Sequence, residues 1–275
     1  KMKRFFFFSI LLSMNVFSQE IESHLLVNSI LDKDERYYSK KSLSDLVIPF
    51  LDDFSYKSNI PDTLLWENKS VFINRSYGYN PITIGVATFD GLNSLGRPYD
   101  ISLTGTDSEN ADTLTSRTID LSGLDTAYFM FFYQSQGLGN DPQVTDSLIL
   151  EFSAEIDSFG NNVWNTIWKK PGSTVHDFKK FVYVFSDTNY LNNKFQFRFR
   201  NLASVTGNFD HWNIDYVKLD NLLSSSDTSS LNDVSFVYNS PSFLKRYSEM
   251  PWTHFINNEN AELKDSIDIK LRNKY

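Results

Sequence analysis

The sequence predicts an all-β fold, a two-sheet antiparallel β-sandwich, and three observations lead to it. After residue 50, apolar and polar residues alternate as in strands, and helical periodicity is scarce. Clusters of Gly, Asn, Asp and Ser interrupt these segments at about the spacing of an all-β domain. Aromatic residues make up 16% of the 275 residues and cysteine is absent. Buried rings rather than disulfides must therefore stabilise the fold.

Residues 1–18 have the layout of a secretory signal peptide. A short basic start, from Lys1 to Arg4, precedes an apolar run over residues 5–12, and small and polar residues follow. The run is shorter than the roughly 20 residues that span a bilayer. A buried N-terminal helix is the alternative. The layout predicts export, and no later segment is long and apolar enough to form a transmembrane helix.

Residues 19–49 form a leader segment before the sandwich. Residues 20–31 are compatible with one amphipathic helix, whereas residues 33–41 are a run of charged residues. A solvated leader and a partner-binding helix both remain open.

Nine candidate strands lie within the sandwich, which is predicted over residues 50–220. In the clearest one, Phe195, Phe197 and Phe199 alternate with polar residues, so one face must be core and the other solvated. Segment 128–133 is apolar on both sides, which predicts a central strand covered on both faces. In chain order the nine segments are 70–74, 84–89, 113–119, 128–133, 148–155, 162–169, 181–185, 195–200 and 212–219.

The composition changes again after the sandwich. Residues 221–233 are small and polar, which predicts a linker. Two further strand patterns follow over residues 234–238 and 267–271. We expect residues 234–275 to be the start of a second β domain, Ig-like and truncated, in a fragment of a longer protein.

Charge and cysteine content exclude several classes of function. The net charge is −8, and removal of a basic signal peptide would make it more negative. An acidic surface argues against DNA or RNA as a partner, because phosphate binding needs a basic patch. The absence of cysteine excludes zinc fingers, iron–sulfur sites and cysteine nucleophiles. An exported protein without cysteine favours a bacterial envelope or extracellular setting.

Several short motifs resemble one family of modules. The best matches are the opening Asp-Asp-Phe and the closing D-x-W-x-I-D-x-V. The matching segments are 52–54, 85–92, 113–116, 132–134 and 210–217. This pattern resembles the jelly-roll modules of exported Bacteroidota proteins, akin to MAM-like and cleaved-adhesin domains. The resemblance implies a jelly-roll sandwich, display on the outer surface of a Gram-negative cell, and the type IX secretion machinery as a partner.

The same resemblance implies a structural Ca²⁺ site. It would lie between the acid of the first strand, Asp53, and the acid near the end of the last strand, Asp215, with Asp52 and Asp210 as neighbours. Calcium takes 6–8 oxygen ligands, so carboxylates, carbonyls and water could serve together. The alternative is that these are ordinary strand-end acids, bonded to a turn or paired with a nearby arginine.

Two other chemistries are open. Trp164 and Trp168 have the same strand parity, and an exposed pair of indoles could stack on sugar rings; a core position is the alternative. The segment Glu155-Ile156-Asp157 resembles the start of the Glu-x-Asp-x-Glu strand of jelly-roll endoglucanases, but the second glutamate of that motif is absent here. Glu151 and Glu155 would lie about 13 Å apart in an extended strand, too far for retaining hydrolysis.

The sequence therefore predicts a non-catalytic extracellular module for adhesion or display. The alternative is a carbohydrate-binding accessory module of a larger secreted hydrolase or peptidase. A glycan and another surface protein are the candidate ligands. No histidine lies in a recognised catalytic motif.

Overall fold

The computed structural model describes residues 45–104, 107–221 and 234–273. The predicted signal peptide, most of the leader and nearly all of the predicted linker lie outside the described residues. The described residues form fourteen strands and two short helices. In chain order these are β1 (Leu46–Val47), β2 (Phe50–Asp52), β3 (Phe72–Asn74), β4 (Val86–Phe89), β5 (Ser108–Thr115), β6 (Ile119–Asp120), β7 (Ala127–Ser135), β8 (Ser147–Ile156), β9 (Asn162–Pro171), β10 (Lys179–Phe185), β11 (Gln196–Ser204), β12 (Trp212–Asp220), β13 (Val234–Phe236), α1 (Trp252–Phe255), α2 (Glu259–Glu262) and β14 (Leu271–Asn273).

Two antiparallel sheets form a jelly-roll sandwich, which confirms the predicted fold class. The larger sheet has the order β10-β7-β12-β4-β3, and β2 also pairs with β12. The smaller sheet has the order β5-β11-β8-β9. From β4 onward the chain passes repeatedly from one sheet to the other, so strands that are distant in sequence become neighbours. Strand β7 is buried along its whole length, as predicted for a central strand.

The core between the sheets is built from phenylalanine rings. Phe129 and Phe131 of β7 face Phe197 and Phe199 of β11, with ring centroids 4.6 Å apart for Phe129–Phe197 and 4.8 Å apart for Phe131–Phe199. All four side chains are fully buried. Each buried ring removes roughly 150–250 Å² from water, so this cluster stabilises the sandwich without cross-links.

The outer faces of the two sheets differ. On the larger sheet, a second apolar cluster that includes Tyr128, Met130, Phe132 and Tyr216 is buried with Ile82 of the β3–β4 connection. That face is therefore largely covered. The outer face of the smaller sheet instead carries charged and hydrogen-bonding side chains, described below.

The last described segment docks on the sandwich. Strands β13 and β14 pair with each other, so the segment near residue 271 does have a partner strand. Ser235 Oγ donates a hydrogen bond to the carbonyl of Ile82 at 2.6 Å. Arg272 Nη1 donates to the carbonyls of Asn80 and Pro81 at 2.5 and 3.1 Å. These bonds attach the paired strands β13 and β14 to the loop between β3 and β4.

No helix within the described residues is long and apolar enough to cross a membrane.

Candidate binding face and candidate metal site

Trp168 belongs to the core. It pairs with Leu150 across the β8–β9 ladder, and Leu150 points into the sandwich. Its indole packs on Phe131 and Tyr133, with ring centroids 5.3 and 4.7 Å apart. Strand β9 thus contributes one of its two tryptophans to the interior.

Trp164 lies on the opposite, outer face of the same sheet. The register of β8 and β9 shifts between Leu150 and Glu151, and such a bulge changes which side chains share a face. The indole of Trp164 stacks with the guanidinium of Arg198, whose Cζ is 4.2 Å from the ring centroid. The prediction that Trp164 and Trp168 share a face is therefore wrong, because simple parity does not survive the bulge.

A row of polar side chains crosses the outer face beside Trp164. Arg198 pairs with Thr115 on one side and with Glu151 on the other, and Glu151 pairs with Thr166. Cross-strand partners have their side chains on the same face. The row therefore runs across all four strands of the smaller sheet.

Glu151 is the centre of this row. Arg198 Nε donates to its Oε2 at 2.6 Å, and Arg200 donates from Nε to Oε2 at 3.1 Å and from Nη2 to Oε1 at 2.9 Å. Burial alone would raise the pKa of Glu151, but the hydrogen bonds and charges of Arg200 and Arg198 outweigh it, and the net pKa is lowered. Glu151 is therefore ionised and holds both arginines in place.

Trp164 is half-buried and its ring has two different faces. The Arg198 guanidinium covers one face of the ring and fixes its orientation. Glu151 is buried although it points outward from the sheet, because the two arginines lie against it.

A second polar row lies next to the first. Asn162 Nδ2 donates to Gln196 Oε1 at 2.6 Å, and Gln196 Nε2 donates to Glu67 Oε1 at 3.0 Å. Gln196 lies two residues before Arg198 on β11, so both side chains are on the outer face. Trp164 is thus accompanied by amide, carboxylate and guanidinium groups, of which Gln196 and Glu151 are buried and bonded to protein partners.

The described residues give the glycosidase alternative no support. Glu151 is held by Arg198 and Arg200 with a lowered pKa, which is the opposite of what a general acid needs. Glu155 is exposed and lies beyond a second register shift, opposite Val163. The two carboxylates therefore do not form a catalytic pair.

Asp215 occupies a gap in the larger sheet. On one edge of β12, residues 212–214 pair with β4 and residues 217–219 pair with β2. Between them β12 bulges against β7, and Tyr216 has a positive φ of 52°. Asp215 lies where the neighbouring strand changes from β4 to β2. At this gap Thr83 contacts both the carboxylate of Asp215 and the backbone carbonyl of Asp53.

Four oxygen atoms lie close together at this gap. Thr83 Oγ1 is 2.7 Å from the carbonyl of Asp53, 2.9 Å from Asp215 Oδ1 and 3.2 Å from the carbonyl of Gly85. A hydroxyl has one hydrogen, so it can donate a full hydrogen bond to only one of these three acceptors. These carbonyl, carboxylate and hydroxyl oxygens are of the kinds that Ca²⁺ takes as ligands, and Thr83 Oγ1 lies at their centre.

The carboxylate of Asp53 is not aimed at this point. It accepts hydrogen bonds from Ser55 N at 3.1 Å and Ser55 Oγ at 2.7 Å. Among the described residues no group of three or more His, Cys, Asp or Glu could hold a metal ion. A cation here would be held mainly by carbonyl and hydroxyl oxygens, with Asp215 as its one carboxylate.

Asp52 and Asp210 have other partners. Asp52 accepts hydrogen bonds from Trp66 Nε1 at 2.6 Å and Phe54 N at 2.9 Å, and burial raises its pKa to about 7. Asp210 accepts one from Ser204 N at 2.7 Å, and burial raises its pKa to about 7 as well. Of the four predicted metal ligands, the structure brings only Asp53 and Asp215 together.

The sequence interpretation missed a buried pair of acids. The backbone N–H of Asp90 donates to Asp112 Oδ2 at 2.9 Å, and Tyr99 Oη donates to Asp112 Oδ1 at 2.9 Å. Asn201 Oδ1 accepts from Asp112 N at 2.8 Å. Both carboxyls are buried. The one signal in the sequence was that Asp112 has the same parity as Leu114, an inward-facing residue of the same strand.

Comparisons with known proteins find structural similarity alone. No family model matches the chain, and no curated protein matches it. The structure is similar to the CBM22-1 xylan-binding domain of Paenibacillus barcinonensis Xyn10C, at 10% identity, a TM-score of 0.39, and coverage of 66% of this chain and 99% of that one. It is also similar to the K3 cleaved adhesin domain of Porphyromonas gingivalis Lys-gingipain, at 13% identity, a TM-score of 0.34, and coverage of 62% of this chain and 96% of that one. A third similar structure is the arabinose-bound α-L-arabinofuranosidase MgGH51, at 10% identity, a TM-score of 0.39, and coverage of 73% of this chain and 31% of that one. This match spans under a third of that enzyme.

Proposed function

We propose that this protein is a non-catalytic adhesion module that binds a carbohydrate on the outer face of its smaller sheet. One observation carries the proposal. Trp164 is held by Arg198 on a solvated face whose other side chains are hydrogen-bonding groups. Ligand sites combine an aromatic surface with a few placed polar groups in this way.

The chemistry of a sugar ring matches this face. A pyranose has an apolar face of C–H groups and a rim of hydroxyls. The large apolar surface of the indole suits the former, and the amide of Asn162 and the guanidinium of Arg198 suit the latter. Because Arg198 and Glu151 are already bonded to each other, little side-chain entropy is lost when a ligand binds.

We predict that Trp164→Ala abolishes most of the glycan affinity. Truncating a tryptophan at the centre of an interface costs about 2 kcal/mol or more, which is roughly a thirtyfold weaker Kd. The measurement is a glycan array followed by isothermal titration with the best ligand, using the wild-type chain and the variant.

The matched control for this test is Trp252→Ala. Trp252 is 68% exposed in helix α1 and lies outside the sandwich, so its removal should leave the Kd unchanged. The proposal fails if the folded wild-type chain binds no glycan, or if Trp164→Ala binds as tightly as wild type.

We propose that the module acts outside the cell. The signal-peptide layout of residues 1–18 supports export. The resemblance to exported Bacteroidota modules supports the type IX secretion route and a Gram-negative cell surface. Both parts of this proposal rest on the sequence.

We further propose that Ca²⁺ stabilises the sandwich at the gap beside Asp215. The groups that would hold it are the carbonyls of Asp53 and Gly85, Thr83 Oγ1 and the carboxylate of Asp215. A bound divalent cation would compensate the charge of a buried carboxylate and link the end of β2 to β12 and to the β3–β4 connection. Its role would be structural.

Calcium is therefore expected to raise the melting temperature. Free Ca²⁺ at about 100 times its Kd contributes about 2.7 kcal/mol, which is roughly 5–10 °C for a domain of this size. The Asp215→Asn variant keeps one oxygen to accept from Thr83 but should lose the calcium shift, whereas Asp125→Asn, at an exposed aspartate, should keep it. An unchanged melting temperature at millimolar calcium would contradict the proposal.

A further inference from the structure

The outer face of the smaller sheet carries more positive than negative charge at its centre. Ile149 pairs with Arg200 on one side and with Lys169 on the other, in the row next to Arg198 and Glu151. Three cations therefore surround one carboxylate. The chain as a whole has a net charge of −8, so this face departs from the charge of the molecule.

The three cationic side chains differ in how many hydrogen bonds and ion pairs they form. Each of the three nitrogens of Arg200 is in use, since Nε and Nη2 donate to Glu151 and Nη1 donates to Asn110. Arg198 donates to Glu151 through Nε, and within the described part of the chain its two terminal nitrogens donate no hydrogen bond. The side chain of Arg198 is 26% exposed. Lys169 is exposed and forms no ion pair with a described residue.

The charges do not cancel. Glu151 neutralises one of the two arginines, which leaves one positive charge on the arginine pair and a second on Lys169. Glu67, bonded to Gln196 in the neighbouring row, is itself accompanied by the positive charge of Arg117. The terminal nitrogens of a guanidinium form a planar fork that matches a carboxylate. This fork is fixed in place by Glu151 below it and by the indole of Trp164 beside it.

We propose that the ligand of this face is an acidic glycan, a polysaccharide whose rings carry carboxylate or sulfate groups. The sugar ring lies on Trp164, one acidic group binds the terminal nitrogens of Arg198, and Lys169 attracts a further acidic group along the polymer. This inference rests on the proposed function, because it names the chemical class of the glycan bound at the same face.

The test is binding of four polymers to the full chain: polygalacturonate (carboxylated), dextran sulfate (sulfated), xylan (neutral) and poly-L-glutamate (anionic without sugar rings). Quenching of tryptophan fluorescence gives each Kd. We expect at least about tenfold tighter binding to one of the two acidic glycans than to xylan, and weaker binding at high salt, since salt screens exposed charges. Tighter binding to polygalacturonate than to dextran sulfate would identify the acidic group as a carboxylate, and the reverse would identify it as a sulfate.

Charge-reversal variants then test the residues. Lys169→Glu should weaken binding of the acidic glycan about tenfold and leave any xylan binding unchanged. Lys57→Glu makes the same change of charge at an exposed position in the turn after β2 and should have no effect. Lys169→Arg, which keeps the charge, should retain the affinity.

Each other outcome overturns the inference in a distinguishable way. Equal or tighter binding to xylan removes the acidic class but leaves the proposed glycan function standing. Binding to none of the three glycans overturns the acidic-glycan inference, and the glycan array then decides the proposed function separately. Equal binding to poly-L-glutamate, insensitive to Trp164→Ala, would mean that the face binds acidic proteins. An unchanged affinity in Lys169→Glu would exclude Lys169 from the site.

Discussion

Replacing Phe197 by alanine is expected to lower the free energy of unfolding by about 3–5 kcal/mol. Phe197 is fully buried on β11 between the two sheets. Its ring packs on Phe129 at 4.6 Å, on Phe50 at 5.2 Å and on Trp66 at 5.5 Å, measured between centroids. Removing the ring deletes these contacts and leaves a cavity, because strands held by ladders on both sides cannot collapse into it.

Urea denaturation followed by tryptophan fluorescence measures this loss. Phe159→Ala is the control, since Phe159 is 88% exposed in the turn between β8 and β9, and a surface change of this kind stays within about 0.5 kcal/mol. Phe197→Leu should fall between the two. A loss below about 1 kcal/mol for Phe197→Ala would show that the rings do not carry the stability of the sandwich.

The second large effect is on the pH dependence of stability. Burial raises the pKa of Asp90 to about 7, and burial together with the charge of Asp90 raises the pKa of Asp112. Both pKa values are higher in the folded protein than in the unfolded chain. The folded state therefore keeps a proton that the unfolded chain releases near pH 4, and its stability falls as the pH rises from there through 7.

For one such group the free energy of unfolding falls by at most about 1.4 kcal/mol per pH unit, and by roughly 2 kcal/mol between pH 5 and pH 7, because the group is already half ionised in the folded protein at its pKa of about 7. Asp52 and Asp210 act in the same direction, because burial also raises their pKa values to about 7. Chemical denaturation at pH 5, 6, 7 and 8 measures the slope.

Asp90→Asn identifies the acid pair as a source of this slope. The amide oxygen can still accept the hydrogen bond that Leu92 N gives to Asp90 Oδ1 at 2.7 Å, and the like charge next to Asp112 disappears. The slope should flatten by at least the share of one group, whereas Asp125→Asn, at an exposed position, should leave it unchanged. A protein that grows more stable from pH 5 to pH 8 would contradict the prediction.

The elements of the sandwich were predictable because strand periodicity is local. The alternation of Phe195, Phe197 and Phe199 placed β11 and its buried face correctly. The strands β1 and β2, of two and three residues, were missed. At the end of the chain, residues 267–270 alternate without forming a strand, and β14 begins only at Leu271.

The candidate site was predictable only in part. Arg198 and Arg200 could be assigned to a solvated face from alternation, but Glu151 lies 47 residues before Arg198. Their meeting depends on the register of β8 against β11. Asp53 and Asp215 were paired by the family resemblance, and the structure adds that the carbonyl of Asp53, rather than its carboxylate, points to the shared position.

The class of the fold, its longer strands and a core of aromatic rings follow from the sequence, because alternation and ring content are properties of short segments. Only the folded structure shows which of Trp164 and Trp168 lies on the outer face and which charges meet. The physical reason is that bulges and register are set by pairing between distant strands. One bulge in β9 sends Trp168 into the core and leaves Trp164 on the outer face beside Arg198.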